Sequence, residues 1–347
     1  MIQVRLAGHG GDVEFQAASG ITALFGPSGA GKTRILDAIA GFAAPGSGRI
    51  ILDDEILYDG ASGVSLPARR RRCGYVARDW ALFPHLNLHD NLLFPLTRLG
   101  RLERYRQVKE TLERFHLQDV ASRRPADVSL AERLRATFAR ALIGEPRILL
   151  VDEPASGLDV GLRAEWLAAL RLVRDETDLP VLLATRDLDL CFELAGSMHL
   201  LHNGRILQSG APRAVLDQPV TVEAARLLGV RNLFQAEIVA LDPGRNTSRL
   251  RLEEFELTGC YFPGHLRGDR VWVCVEPGRL RATPQNGAKP QANQAAARLE
   301  RASEMPRVVR LEFVGGIVAE VPRHEFERQK DNKEWLVEFP PDALRVL

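Results

Sequence analysis

The chain has 347 residues, 45% hydrophobic and 26% charged, the make-up of a soluble globular protein with room for about two domains. Its 46 basic and 45 acidic side chains leave a formal net charge of +1, so no global field draws it to nucleic acid or anionic lipid. No stretch approaches the roughly 20 apolar residues needed to span a bilayer, and the first ten residues lack the apolar centre of a signal peptide, so work at a membrane requires a partner that spans it.

In chain order, Ile2, Val4 and Leu6 alternate and predict a strand over 1–6. A short apolar run at 21–25 ends at a glycine-rich turn, and Ile35, Leu36, Ile39 and Ala40 then share one helical face that stops near Gly41. Residues 49–57 read as a further strand, and the basic run 69–72 as a solvated turn. From 88 to 143 the pattern is helical. The continuous apolar runs 148–151 and 181–184, with helical 165–174 between them, suit strands buried on both faces of a parallel sheet. Near residue 231 the character changes to short strand-like runs at 271–275, 308–313 and 334–339 separated by Gly, Pro and Asn. Residues 284–297, rich in Gln, Asn, Ala and Pro, read as a flexible insertion. Cys73, Cys191, Cys260 and Cys274 show no metal-ligand spacing and read as reduced thiols.

Gly26, Pro27, Ser28, Gly29, Ala30, Gly31, Lys32 and Thr33 match GxxxxGK[ST] in full, after a predicted strand and opening a helix. Glycines let backbone N–H groups turn toward phosphate oxygens, and the helix N-terminus adds donors and a favourable dipole. Lys32 is expected to reach the β- and γ-phosphates of a bound nucleotide, and Thr33 to bind Mg²⁺. The apolar run at 148–151 ends in Asp152 and Glu153. Asp152 is the second candidate for Mg²⁺ and Glu153 the candidate general base for the attacking water.

Together, GPSGAGKT at 26–33, GYVARDWALFPHLNLHDNL at 74–92, VSLAERLRATFARAL at 128–142, LLVDEPASGLD at 149–159 and the turn Asn203-Gly204-Arg205-Ile206 resemble the ABC ATPases in order and spacing. ITALFGPSGAGKT, LPARRRRCGYV and LFPHLNL are most similar to the ATP-binding subunits of molybdate-type importers. The resemblance implies an α/β P-loop NTPase domain of ABC type over 1–230 with a helical subdomain at about 88–143. A small all-β, OB-like (TOBE-like) domain would follow over 231–347. It further implies a homo- or heteromeric dimer of ATP-binding subunits in which the signature residues Ser129, Leu130, Ala131 and Glu132 of one subunit face the phosphate loop of the other. Asp159 would lie in the loop that crosses between them. Residues 82–92 would lie near an integral membrane permease at the cytoplasmic face of the inner membrane. The solute would be a small oxyanion such as molybdate, with an oxyanion also a candidate ligand of the C-terminal domain. His324, Arg328 and Lys330 there read as solvated surface.

Several positions depart from the family pattern. Arg78 stands where the family has a Gln that ligates Mg²⁺, and a guanidinium has five donors and no acceptor. Leu130 and Ala131 replace two glycines of the signature, adding Cβ atoms where close approach is expected. Arg186 stands in place of a catalytic His and stabilises charge without relaying a proton. No clear aromatic residue is set to stack on adenine, with His9 and Phe15 the candidates. Two expectations follow: a transport ATPase in which the arginines compensate, or a degenerate ATP-binding regulatory subunit whose hydrolysis is attenuated and which works beside another ATPase subunit.

Overall fold

The structure is a computed structural model and describes residues 1–7, 11–153, 158–253 and 255–347. The chain divides into two compact units, Met1–Gln218 and Pro219–Leu347.

The first unit contains two sheets. A six-stranded sheet runs in the order Arg205–Gly210, Ser197–His202, Gly20–Phe25, Pro180–Thr185, Ile148–Asp152, Cys73–Val76, and all neighbours are parallel except the first pair, an edge hairpin. Its central strands are buried on both faces because successive residues serve different cores. Leu149, Val151, Val181 and Leu183 join Leu134, Phe138, Trp166 and Leu170 of the helices Leu130–Leu142 and Val160–Glu176. Ile148, Leu150, Leu182 and Ala184 instead join Ile35, Leu36 and Ile39 of the helix Lys32–Ala40. That second core is closed by Ile2, Val4, Ile50 and Leu52 from an antiparallel five-stranded sheet.

Two local readings are corrected. The single strand expected over 49–57 is a hairpin, Ser47–Leu52 and Glu55–Asp59, because Asp53 and Asp54 both adopt left-handed backbone angles (φ 46° and 67°) and turn the chain in two residues. The basic run at 69–72 is not simply a solvated turn. Arg71 is 2% exposed, and its guanidinium donates to Leu66 O at 2.7 Å, Ala38 O at 2.6 Å and Ile39 O at 3.0 Å. The last two are carbonyls of the final turn of Lys32–Ala40, which otherwise lack partners in the helix.

The second unit is built from two five-stranded antiparallel sheets around one core that includes Val273, Leu311, Phe313, Trp335, Val337 and Phe339. It begins before the change of character near 231, since the helix Val222–Leu227 belongs to it and sets the Arg226 guanidinium over the Trp272 ring at 5.7 Å. The flexible insertion expected over 284–297 is also shorter than composition suggested. Pro284 ends the strand Arg281–Pro284, and 294–297 open the strand Gln294–Glu304, where Ala295 and Ala297 are buried opposite Val337 and Trp335. A polar, alanine-rich composition concealed that alternation.

Asn232, fully buried, links two strands by accepting from Val318 N at 2.7 Å and donating to Val318 O at 2.8 Å. Asn232→Ala leaves both backbone groups unpaired in a closed site, and is expected to lower unfolding stability by about 2–4 kcal/mol. Denaturant unfolding of the full chain checks this, and an unchanged midpoint would contradict it. Among the described residues no helix is long and apolar enough to cross a membrane.

Candidate nucleotide site

The strand Gly20–Phe25 delivers the chain into the loop 26–31, which opens the helix Lys32–Ala40. Glycine is required at particular points of this loop. A Cβ on Gly26 would lie 2.2 Å from Leu201 O, and Gly29 and Gly31 have φ of 82° and 105°. Gly26 N–H donates to Thr185 O at 3.2 Å, and Ala30 O accepts from Gly204 N–H at 3.0 Å, which fixes the loop to the parallel sheet and to the 203–206 turn. Among the described residues no side chain caps the helix N-terminus, the end at which backbone N–H groups attract anions.

Lys32, 4% exposed, uses its three donors on Gly26 O at 2.8 Å, Pro27 O at 3.0 Å and Glu153 Oε1 at 2.8 Å. The Thr33 hydroxyl donates to both Asp152 oxygens at 3.0 Å. Burial raises the Asp152 carboxyl above its ordinary range. The Thr33 hydrogen bond opposes that rise, the Glu153 and Asp37 carboxylates add to it, and Lys32 opposes it. Glu153 leaves the strand with φ 37° while its N–H still donates to Ala184 O at 2.9 Å, so the carboxylate turns toward Lys32. A hydroxyl and a carboxylate are hard oxygen donors, which fits Mg²⁺.

These groups line one cleft with Ser28, Gly29, Gly31, Arg34 and Arg78. Arg78 is exposed on the loop after Cys73–Val76, and that loop is held by Trp80 N–H donating to Ala77 O at 3.0 Å and Thr137 Oγ1 donating to Trp80 O at 3.2 Å. Arg186 follows the strand Pro180–Thr185 and directs Nη1 to Ser28 Oγ at 3.4 Å. The next residue, Asp187, caps the following helix and pairs with Arg163 at 2.5 Å.

The signature residues do not line this cleft. Ser129 caps the helix Leu130–Leu142: its Oγ accepts from Glu132 N at 3.2 Å, and both its Oγ and N donate to Glu132 Oε2 at 2.7 Å. Leu130 is 49% exposed. Asp159 caps the helix Val160–Glu176 by accepting from Leu162 N at 2.8 Å. Residues 154–157 lie outside the described set, as does His9. Phe15 is core, 5% exposed and packed at 5.0 Å from the His199 ring.

Sequence reasoning missed the adjoining pocket, which shares Gly31 and Arg34 with the cleft and is walled by Leu6, Ala7, Val13 and Ile35. Its walls come from the first hairpin and the first helix, and no motif marks them. In the second unit, a separate cavity is lined by Phe234, Phe255, Trp272, Gln235, Gln294 and Glu253 among others, with no Lys or Arg among its lining residues. His324, Arg328 and Lys330 are exposed.

Fold and cleft together define a P-loop nucleotide-binding domain followed by an all-β unit. The ABC transporter family profile matches residues 11–156. The Rhodospirillum rubrum molybdenum import ATP-binding protein ModC is 38% identical over 207 residues, 60% of this chain and 56% of that protein. The Archaeoglobus fulgidus molybdate/tungstate import ATP-binding protein WtpC is 37% identical over 223 residues, 64% of this chain and 90% of that protein. The dimeric ATP-binding cassette MJ0796, solved with ADP and Pi, aligns with a TM-score of 0.52 at 22% identity, covering 61% of this chain and 99% of its own, a likeness of fold. Other relatives are named for import of Fe(3+) ions or of spermidine and putrescine. The chain belongs to the ABC transporter ATP-binding proteins.

Proposed function

We propose that the chain is the ATP-binding subunit of an ABC importer, coupling ATP binding and hydrolysis to uptake of a small oxyanion such as molybdate through a separate membrane permease. The observation that carries this reading is the convergence of Lys32, Thr33, Asp152 and Glu153 on one cleft at the mouth of the loop 26–31. Incoming phosphate oxygens compete for Lys32, drawing it from Glu153, which then accepts a proton from the attacking water. Thr33 and Asp152 would hold Mg²⁺, whose charge polarises the terminal phosphate when bound. The apolar pocket beside Gly31 and Arg34 suits the base and sugar.

In a homo- or heteromeric dimer, Ser129, Leu130, Ala131 and Glu132 of one subunit would close on the phosphate loop of the other, with Asp159 at the crossing. The signature helix already presents Leu130 to solvent. The second unit serves assembly and stability. Its aromatic cavity, with a carboxylate and no cationic lining residue, does not favour an oxyanion there. The subunit would sit peripherally on the cytoplasmic face of the inner membrane, against the permease.

Arg78 and Arg186 favour a second reading, in which the chain binds ATP, hydrolyses it slowly and works beside another ATPase subunit. Turnover of the purified chain separates the two. The import reading is tested by radiolabelled molybdate, Fe³⁺ and spermidine uptake in cells lacking the chain. Molybdate uptake alone should be lost, then restored by the wild type and not by Lys32→Ala. Loss of Fe³⁺ or spermidine uptake instead would overturn the oxyanion assignment.

A further inference from the structure

We propose that the cavity in the second unit is a binding site for a small organic monocation, an ammonium group carried on an apolar or aromatic body. The cavity has a volume of about 620 Å³, inside the range of roughly 300–1,000 Å³ in which proteins enclose small molecules. It lies where two strand ladders are incomplete. The first part of the strand Asn232–Asp242 pairs with Arg270–Val275 alone, because its other neighbour, Thr247–Arg251, joins only from Glu237. The first part of Gln294–Glu304 likewise pairs with Glu334–Glu338 alone, its other neighbour joining only from Leu299. Both one-sided stretches, 233–235 and 294–296, line the cavity.

The lining selects the charge of the ligand. Phe234 and Phe255 are half-buried, and both pack against the fully buried Phe339 with ring centroids 6.3 and 5.5 Å away. Rings held in this way present π faces that attract a cation at little cost in side-chain entropy. Trp272, the third aromatic lining residue, already has the Arg226 guanidinium over its ring at 5.7 Å. The two phenylalanines therefore supply the open ring contacts. Among the described lining residues Glu253 alone carries charge, and it has no hydrogen-bond or ion-pair partner among the described residues. One carboxylate matches one positive charge, whereas an anion would meet Glu253 and the ring faces, both repulsive to it.

The test is titration calorimetry of benzyltrimethylammonium into the purified full chain, beside phenylacetate and benzyl alcohol as anionic and neutral probes of similar size. The cation should saturate one site and bind at least about tenfold more tightly than either of the others. Glu253→Gln should weaken the cation about three- to fivefold and leave benzyl alcohol unchanged, the effect of one exposed carboxylate. Val314 lines the cavity and is 58% exposed, so Val314→Trp should fill the opening without unfolding the chain and abolish cation binding. Absence of saturable cation binding to the wild type would overturn the proposal. So would phenylacetate or benzyl alcohol binding as tightly as the cation, or a cation affinity unchanged in either variant.

Discussion

Glu153→Gln loses ATP turnover by about 10²–10⁴-fold while retaining ATP binding, the range that a positioned general base contributes. The substitution keeps size and shape and removes the basic oxygen. Glu153 sits at the end of the central strand Ile148–Asp152 in a left-handed conformation, φ 37°, beside Lys32. An amide oxygen at the same place still accepts from Lys32, so the loop keeps its arrangement and the nucleotide its cradle. Phosphate release at saturating ATP, run with equilibrium ATP binding, reads both quantities. Turnover in Glu153→Gln equal to a well-active wild type would remove Glu153 as base. Low turnover in both, with ATP bound, would favour the slow subunit set against another ATPase.

Arg71→Ala destabilises the first unit by about 3 kcal/mol and weakens ATP binding with it. The guanidinium caps the end of the helix that begins at the phosphate loop, donating to Ala38 O and Ile39 O, and its Nε reaches back to Leu66 O. Gly41, with φ 82°, makes room for it, since a Cβ there would lie 2.7 Å from Nε. Truncation leaves carbonyls unpaired where water does not replace the donor, and a cavity beside them. Arg71→Lys is expected to recover only part of the loss, because a single ammonium cannot reproduce the planar fork. Denaturant unfolding checks both variants, and a midpoint unchanged in Arg71→Ala would contradict the capping role.

Arg71 also marks the limit of what the sequence discloses. A run of four basic residues has the composition of a solvated face, and only the packing of Gly41 and the first helix shows that one of them turns inward. The parallel sheet was legible because strands buried on both faces require uninterrupted apolar runs, as at Ile148–Val151. The loop 26–31 between a strand and a helix was legible because its glycine spacing matches the backbone turn that such a loop requires. The hairpin at Asp53 and Asp54 was not, since aspartates in left-handed turns carry a weaker signal than glycine. Nor was the pocket walled by Leu6, Val13 and Ile35, because those residues look like any core alternation until the hairpin and helix face each other. Ala295 and Ala297 were missed for a related reason: small inward-facing residues give little hydrophobic contrast.

Titration calorimetry of ATP into the purified full chain and into Lys32→Ala tests the nucleotide cleft most directly. Lys32 at the centre of the loop carbonyls predicts one saturable site in the wild type, weakened at least about tenfold in the variant. Equal affinity in the two proteins would contradict a phosphate-binding cleft at 26–33.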